Sequence, residues 1–159
     1  LEAEMLPYGN ARGSGSSVQC QHGPAECNLN MAEACGIQHL PDPNDFLSFI
    51  FCVEKSTSSD PETLISSCAT SSEEQASILD CYKGQEGPQL ISALAARTAQ
   101  LNHTYTPWVV INGKHSTDAE NDLMKAVCDA YTGPNPPGRC SASDSIARCY
   151  RDDNGVDVV

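Results

Sequence analysis

Positive charge is scarce in this chain of 159 residues: nine Lys and Arg stand against 21 Asp and Glu, giving a net charge of -12 and a pI near 4.5. Binding to a phosphate backbone is driven by cationic side chains that release counterions, so nucleic acid is excluded as a partner. Long apolar runs are missing too. The longest, FLSFIF from Phe46 to Phe51, contains a serine and falls far short of the roughly 20 residues that a membrane span needs. Aromatic residues make up only 6% and mean hydropathy is -0.35, so the core available for burial is lean. Leu1 is neither an initiating Met nor the start of an apolar signal segment, and the chain reads as a mature or trimmed product. No phosphate-loop pattern occurs, and Gly13-Ser14-Gly15-Ser16 lacks the strand-to-helix setting of a nucleophile elbow. Closely spaced cysteines are absent as well. Structural zinc sites place two ligands about two to four residues apart, and no two cysteines here are that near. His22, two residues from Cys20, leaves only a mixed site open, so neither a metal nor a cofactor is expected.

What the chain does have is cysteine, nine in all: Cys20, Cys27, Cys35, Cys52, Cys68, Cys81, Cys128, Cys140 and Cys149. Cross-links restrict the unfolded ensemble and offset a thin core by about 2 to 4 kcal/mol each, which points to a disulfide framework formed in an oxidising compartment. Neighbours such as Cys20 with Cys27, or Cys140 with Cys149, close the easiest loops, although connectivity does not follow from one sequence. An odd count leaves one thiol, either buried and inert or able to bond a second copy. Asn102-His103-Thr104 is an N-glycosylation acceptor, in keeping with the secretory route.

Along the chain, Met5 to Ala11 reads as a short strand ending in a turn at Gly9-Asn10, and Gly13 to Ser17 as a flexible link. Asn28 is expected to cap a helix over residues 29–36, and Asn44 to start one from Asp45 to Lys55, whose stripe of Phe46, Phe49, Ile50 and Val53 marks the core helix. Asp60-Pro61 opens a helix to about Ala69, and Ser72 with Gln75 forms a capping box for the next, ending at Gly84. Cys68 and Cys81 lie on these two helices and could staple them together. A helix over residues 89–100 follows Gly87-Pro88. Trp108 to Ile111, Asn112-Gly113 and Lys114 to Ser116 form a hairpin, and Thr117 with Glu120 caps a long helix to Tyr131. A short helix is expected around Cys140 and Cys149, followed by a frayed end. Glu26, Glu33, Glu73 and Glu74 read as solvated or capping acids, and His39, His103 and His115 as surface residues in loops.

Reactive groups are densest in CQHGPAECNLNMAEAC. The pattern Cys20-Gln21-His22-Gly23, then Glu26-Cys27, Asn30 and Cys35 resembles the signature of the gamma-interferon-inducible lysosomal thiol reductase (GILT) family. PYGNA (Pro7 to Ala11) before it and TPWVVINGK (Thr106 to Lys114) after it resemble the family in the same order, so the likeness runs from about Met5 to Cys149. The resemblance implies a thioredoxin-like fold in which Pro107 takes the cis-proline position. It also implies, in members that reduce disulfides, a Cys-x-x-Cys pair after a first strand. Only Leu1 to Glu4 precede the PYGNA segment here, which leaves no room for that strand, the pair or its helix.

The expected fold is therefore α+β: a mostly helical, disulfide-rich, truncated thioredoxin-like domain with a small β-hairpin. It is read as one domain, with residues 1–19 as strand and link, 20–35 as signature, 36–132 as body and 133–159 as stapled tail. The expected function is that of a secreted or luminal GILT-like glycoprotein without a thioredoxin-type redox centre. It would bind an unknown protein or cell-surface ligand in an immune-related setting, with homodimerisation through an odd cysteine or an unpaired strand. The alternative is a reductase acting at acidic pH, through a catalytic segment absent from this chain or through Cys20 and Cys27 with His22 lowering a thiol pKa.

Overall fold

A computed structural model describes residues 3–141, which form two compact units divided between Thr106 and Pro107. The first unit is helical: α1 (Pro24–His39), α2 (Pro43–Lys55), α3 (Pro61–Cys68), α4 (Ser72–Lys83) and α5 (Glu86–Ala99). The second carries the hairpin β1 (Val110–Ile111) and β2 (Lys114–His115), then α6 (Thr117–Asn121), α7 (Leu123–Ala130) and α8 (Gly138–Ser141). A mostly helical, disulfide-rich α+β chain with a small hairpin is thus what forms.

Helix starts follow local chemistry. Three of the first five begin with Pro at the first helical position, where its missing N–H costs nothing. Asp60 accepts from the Thr63 N–H as foreseen. Elsewhere the caps are shifted. Asp42, not Asn44, caps α2, and the capping box of α4 is Ser71 with Glu74 rather than Ser72 with Gln75. α1 starts after Gly23, whose φ of 98° turns the chain, and so extends well beyond residues 29–36 with Asn28 inside it. α5 includes Gly87 and Pro88 in its first turn. The helix expected from Thr117 to Tyr131 is two helices. Ser116 caps the first, and Asp122, in a non-helical conformation, ends it and caps the second.

The strand expected over Met5 to Tyr8 does not form. Pro7 has no N–H to give a ladder, and the Tyr8 N–H turns back onto the Leu6 carbonyl at 2.8 Å before Gly9 reverses the chain at φ 57°. The residues after it are bridged instead: Arg12 and Gln19 exchange both backbone hydrogen bonds at 2.8 Å. Gly13 to Ser17, read as a flexible link, holds a 3-10 turn over Gly15–Ser17 that packs against α5. In the second unit Val110 pairs with His115 and Ile111 with Lys114. Asn112 and Gly113 both take positive φ, as a tight type I′ hairpin turn requires.

α1 organises the first unit because it is covered on both sides. Ala32 to Gly36 are all buried, one side against the cluster of Phe46, Phe49, Val53, Leu64, Ile65 and Ile78, the other against Tyr8 and Ile91. Gly36 is required there: a Cβ would stand 2.5 Å from the Phe49 ring. On α2 the expected stripe is core at Phe46, Phe49 and Val53, while Leu47 and Phe51 stay exposed.

Four disulfides cross-link the described residues: Cys20–Cys27, Cys35–Cys81, Cys52–Cys68 and Cys128–Cys140. The first is the pair that short-loop closure favours. Cys140 bonds to Cys128 rather than Cys149, and Cys149 and the end expected to fray lie outside the described residues. Cys68 and Cys81 are not joined; each ties its helix to an earlier one, α3 to α2 and α4 to α1. Closing loops of 46 and 16 residues is worth about 3 to 4 kcal/mol each in the chain-entropy account.

Candidate functional site

The signature segment enters α1 as a loop fastened at several points. The Glu26 carboxylate reaches back one turn to accept the His22 backbone N–H at 2.6 Å, and His22 Nδ1 lies 3.0 Å from the same oxygen. Glu26 is thus a structural acid that holds the loop on the positive end of the helix. Cys20 and Cys27 are bonded and both half-buried. Their surroundings differ: Asn30 Nδ2 approaches Cys20 Sγ at 4.0 Å, whereas Cys27 Sγ faces the Val18 carbonyl at 3.8 Å. An amide donor favours a thiolate and a carbonyl disfavours one. Cys35 is fully buried and serves the core through Cys81.

Next to this loop sits Asn10, whose Nδ2 donates to Gln21 Oε1 at 2.8 Å and to Thr106 Oγ1 at 3.4 Å. One carboxamide thereby joins the PYGNA turn, the signature and the residue immediately before Pro107. Between the strips Asn10 to Arg12 and Gln19 to Gln21 on one side and His103 with Thr104 on the other lies a groove of about 650 Å³. Cys20 belongs to its wall; Cys27 does not. Asn102 is exposed at φ 50° in the turn after α5, and Pro107 is exposed.

Several residues were misjudged from sequence. Glu33 is buried at 5% exposure, not solvated. Burial first, then a hydrogen bond with Glu54 and that residue's charge, push its carboxyl up to about 9. His39 ends α1 and His115 lies in β2, and both are paired, with Glu86 at 3.0 Å and Glu120 at 2.7 Å. His115 also stacks on Trp108, ring centroids 3.5 Å apart. His103 stands on the groove. Periodicity gives no sign of the buried Glu33, because α1 is covered on both sides and buried over five consecutive residues, Ala32 to Gly36; nothing local signals Asn10 or His103 either. His39, Cys81 and Glu86 bring three ligand atoms within 4.8 Å of one another, but Cys81 Sγ is bonded to Cys35 and offers no thiolate to a metal.

A family model described as "Gamma interferon inducible lysosomal thiol reductase (GILT)" matches residues 1–72. The chain is 38% identical over 154 residues to an Arabidopsis thaliana protein named gamma-interferon-responsive lysosomal thiol protein, covering 92% of this chain and 64% of that one. It is 35% identical over 162 residues to the Mus musculus gamma-interferon-inducible lysosomal thiol reductase, covering 95% and 64%. The reductase of the same name from Carassius auratus is 33% identical over 150 residues, covering 86% and 58%. The chain therefore spans somewhat less than two thirds of the length of these relatives. No described helix is long and apolar enough to cross a membrane.

Proposed function

Because the chain belongs to the gamma-interferon-inducible lysosomal thiol reductase family, we propose that it acts on disulfide-bonded polypeptides, binding them rather than donating electrons. One observation carries the reading: every cysteine among the described residues is already cross-linked. Disulfide reduction needs a thiolate of lowered pKa and a second thiol near enough to resolve the mixed disulfide. The nearest cysteines in these 159 residues are seven apart and bonded to each other. The electron pair would come from a dithiol that these residues do not contain. Two features support a lumenal setting, lysosomal or secreted: the density of disulfides, and an exposed Asn102 open to glycosylation. An immune-related role rests on the relatives' names alone.

A second reading makes Cys20–Cys27 the redox couple, and the Asn30 amide beside Cys20 favours it. The geometry of attack opposes it. A thiolate arriving through the groove would meet Cys20 and have to expel Cys27, which faces a carbonyl oxygen. Reducing the purified chain mildly, removing the reductant and incubating it at pH 5 with a disulfide-bonded test protein separates the two readings. Binding without reduction of the test protein is expected. Reduction of one test disulfide for each Cys20–Cys27 bond re-formed, abolished by alkylating the chain beforehand, would replace this reading with the second.

A further inference from the structure

Four metal-ligating side chains meet where the second half of α1 faces the end of α4 and the start of α5. His39 Nε2, Cys81 Sγ and a Glu86 carboxylate oxygen lie within 4.8 Å of one another, and Cys81 Sγ is bonded to Cys35 Sγ. Cys35 and His39 are four residues apart on α1, a spacing that puts both side chains on one face of the helix. The cluster lies apart from the groove beside Cys20 and does not depend on the function proposed above.

Burial is graded across it. Cys35 and Cys81 are 0% and 2% exposed, whereas the His39 and Glu86 side chains are 27% and 42% exposed and paired with each other at 3.0 Å. While the cross-link stands, neither sulfur is a thiolate. Reduction changes the donor set. A dithiol breaks the Cys35–Cys81 bond, gives up two electrons to become a disulfide itself, and leaves Cys35 and Cys81 as two thiols. Two thiolates, an imidazole and a carboxylate suit zinc, whereas Mg²⁺ and Ca²⁺ prefer oxygen ligands throughout. Binding of Zn²⁺ releases both thiol protons, and the cation balances two sulfur charges that burial would otherwise penalise. A tetrahedral site with bonds of about 2.0 to 2.3 Å sets its donor atoms about 3.3 to 3.8 Å apart, which small side-chain movements achieve here.

We propose that the Cys35–Cys81 cross-link is the oxidised form of a zinc site: after reduction by a dithiol, Cys35, His39, Cys81 and Glu86 bind Zn²⁺, which holds α1 to α4 and α5 in place of the covalent bond. The chain thereby keeps its helical body when its central cross-link is open.

Titration of the full chain with Co²⁺ at pH 7 tests the ligand set, with Cys149→Ser in every protein so that its sulfur takes no part. Cys35→Ala frees the Cys81 thiol without any reductant, Cys81→Ala frees that of Cys35, and both keep the other three described cross-links. Each should bind one Co²⁺ with sulfur-to-cobalt charge-transfer absorption, and Zn²⁺ should displace it. Adding His39→Gln/Glu86→Gln to either should weaken binding by more than about a hundredfold, since loss of an outer-shell partner alone costs about 10–100-fold. The oxidised parent should show no such absorption. Absorption missing from either folded single variant, or unchanged affinity after His39→Gln/Glu86→Gln, would overturn the site. Where a single variant does not fold alone, circular dichroism decides: refolding on addition of Zn²⁺ supports the site, and failure to refold overturns it. In the parent itself, reduced with a phosphine that leaves zinc free, Zn²⁺ should protect Cys35 and Cys81 from alkylation mapped by mass. Equal alkylation with and without Zn²⁺ would overturn the proposal.

Discussion

Replacing Glu33 by Gln should flatten the dependence of stability on pH between pH 5 and 7. Glu33 stands in α1 at 5% exposure, with one carboxyl oxygen lacking a hydrogen-bond partner. Burial, reinforced by the hydrogen bond and charge of Glu54 on α2, raises its carboxyl from 4.5 to about 9. The folded chain therefore keeps this proton at neutral pH, whereas an unfolded chain releases it near the ordinary glutamate value of about 4.3. Below that value both states hold the proton and the contribution to stability is complete. Above it, the unfolded state gains by ionising, at about 1.4 kcal/mol per pH unit, until the folded carboxyl itself ionises near 9. Between pH 5 and 7 the loss should reach about 2 kcal/mol, somewhat under the full slope because Glu54 is exposed and its charge is screened. Stability thus increases toward acid. Asp60 and Glu74 work in the opposite sense: hydrogen bonds from Thr63 and Thr70 lower their values, so their contribution is lost only as pH falls through those lowered values, below this window. Gln keeps the shape of Glu33 and a donor toward Glu54 but cannot ionise. Urea unfolding at pH 5, 6 and 7 should show the wild-type midpoint falling and the variant's nearly level. Equal losses in the two proteins would refute the buried-carboxyl argument.

Three further substitutions test the packing. Gly36→Ala would put a methyl 2.5 Å from the ring of Phe49, which is itself only 1% exposed, so a loss of about 1–3 kcal/mol is expected from thermal unfolding. Thr98→Val should be neutral or stabilising by up to about 1 kcal/mol, because the Thr98 hydroxyl is buried without a hydrogen-bond partner; a clear loss would mean that the hydroxyl is paired in solution. The double variant Cys35→Ala/Cys81→Ala opens a loop of 46 residues and should cost about 4 kcal/mol, read by urea unfolding against a Cys20→Ala/Cys27→Ala variant that loses less.

The helical body was legible because its signals are local. Asp60-Pro61 at the head of α3, the Phe46, Phe49 and Val53 stripe of α2 and the Asn112-Gly113 turn each act over a few residues. Caps moved by one or two positions wherever adjacent residues could serve equally, as with Ser71 and Ser72. The MLPYGNA strand failed for a different reason. A strand needs a partner as well as a propensity, and Pro7 and Gly9 here favour a turn onto α1. Disulfide pairing was legible only for Cys20–Cys27, where the loop is short. The Cys35–Cys81 and Cys52–Cys68 bonds are set by which helices pack together, and that is decided by the core at Phe49, Leu64 and Ile65. Likewise the groove depends on Asn10 and Thr106, 96 residues apart, meeting through one hydrogen bond.

The signature itself divides into positions with separate tasks. Gly23 supplies the positive φ that turns the loop into α1, Glu26 fastens that loop through the His22 N–H, and Cys35 closes onto Cys81 in the core. These three fix where α1 begins and how it is held. Gln21 and Cys20 then face the groove, and Asn10 ties Gln21 to Thr106. A signature kept solely to cross-link would need its cysteines but not a carboxamide on a groove wall. One kept to donate electrons would need an accessible thiolate to attack the substrate sulfur and a second thiol to resolve the mixed disulfide, and here Cys20 and Cys27 are bonded to each other. Beyond the cross-links, these positions therefore fix a hydrogen-bonded wall beside the groove, with Asn10, Gln21 and Thr106 held together.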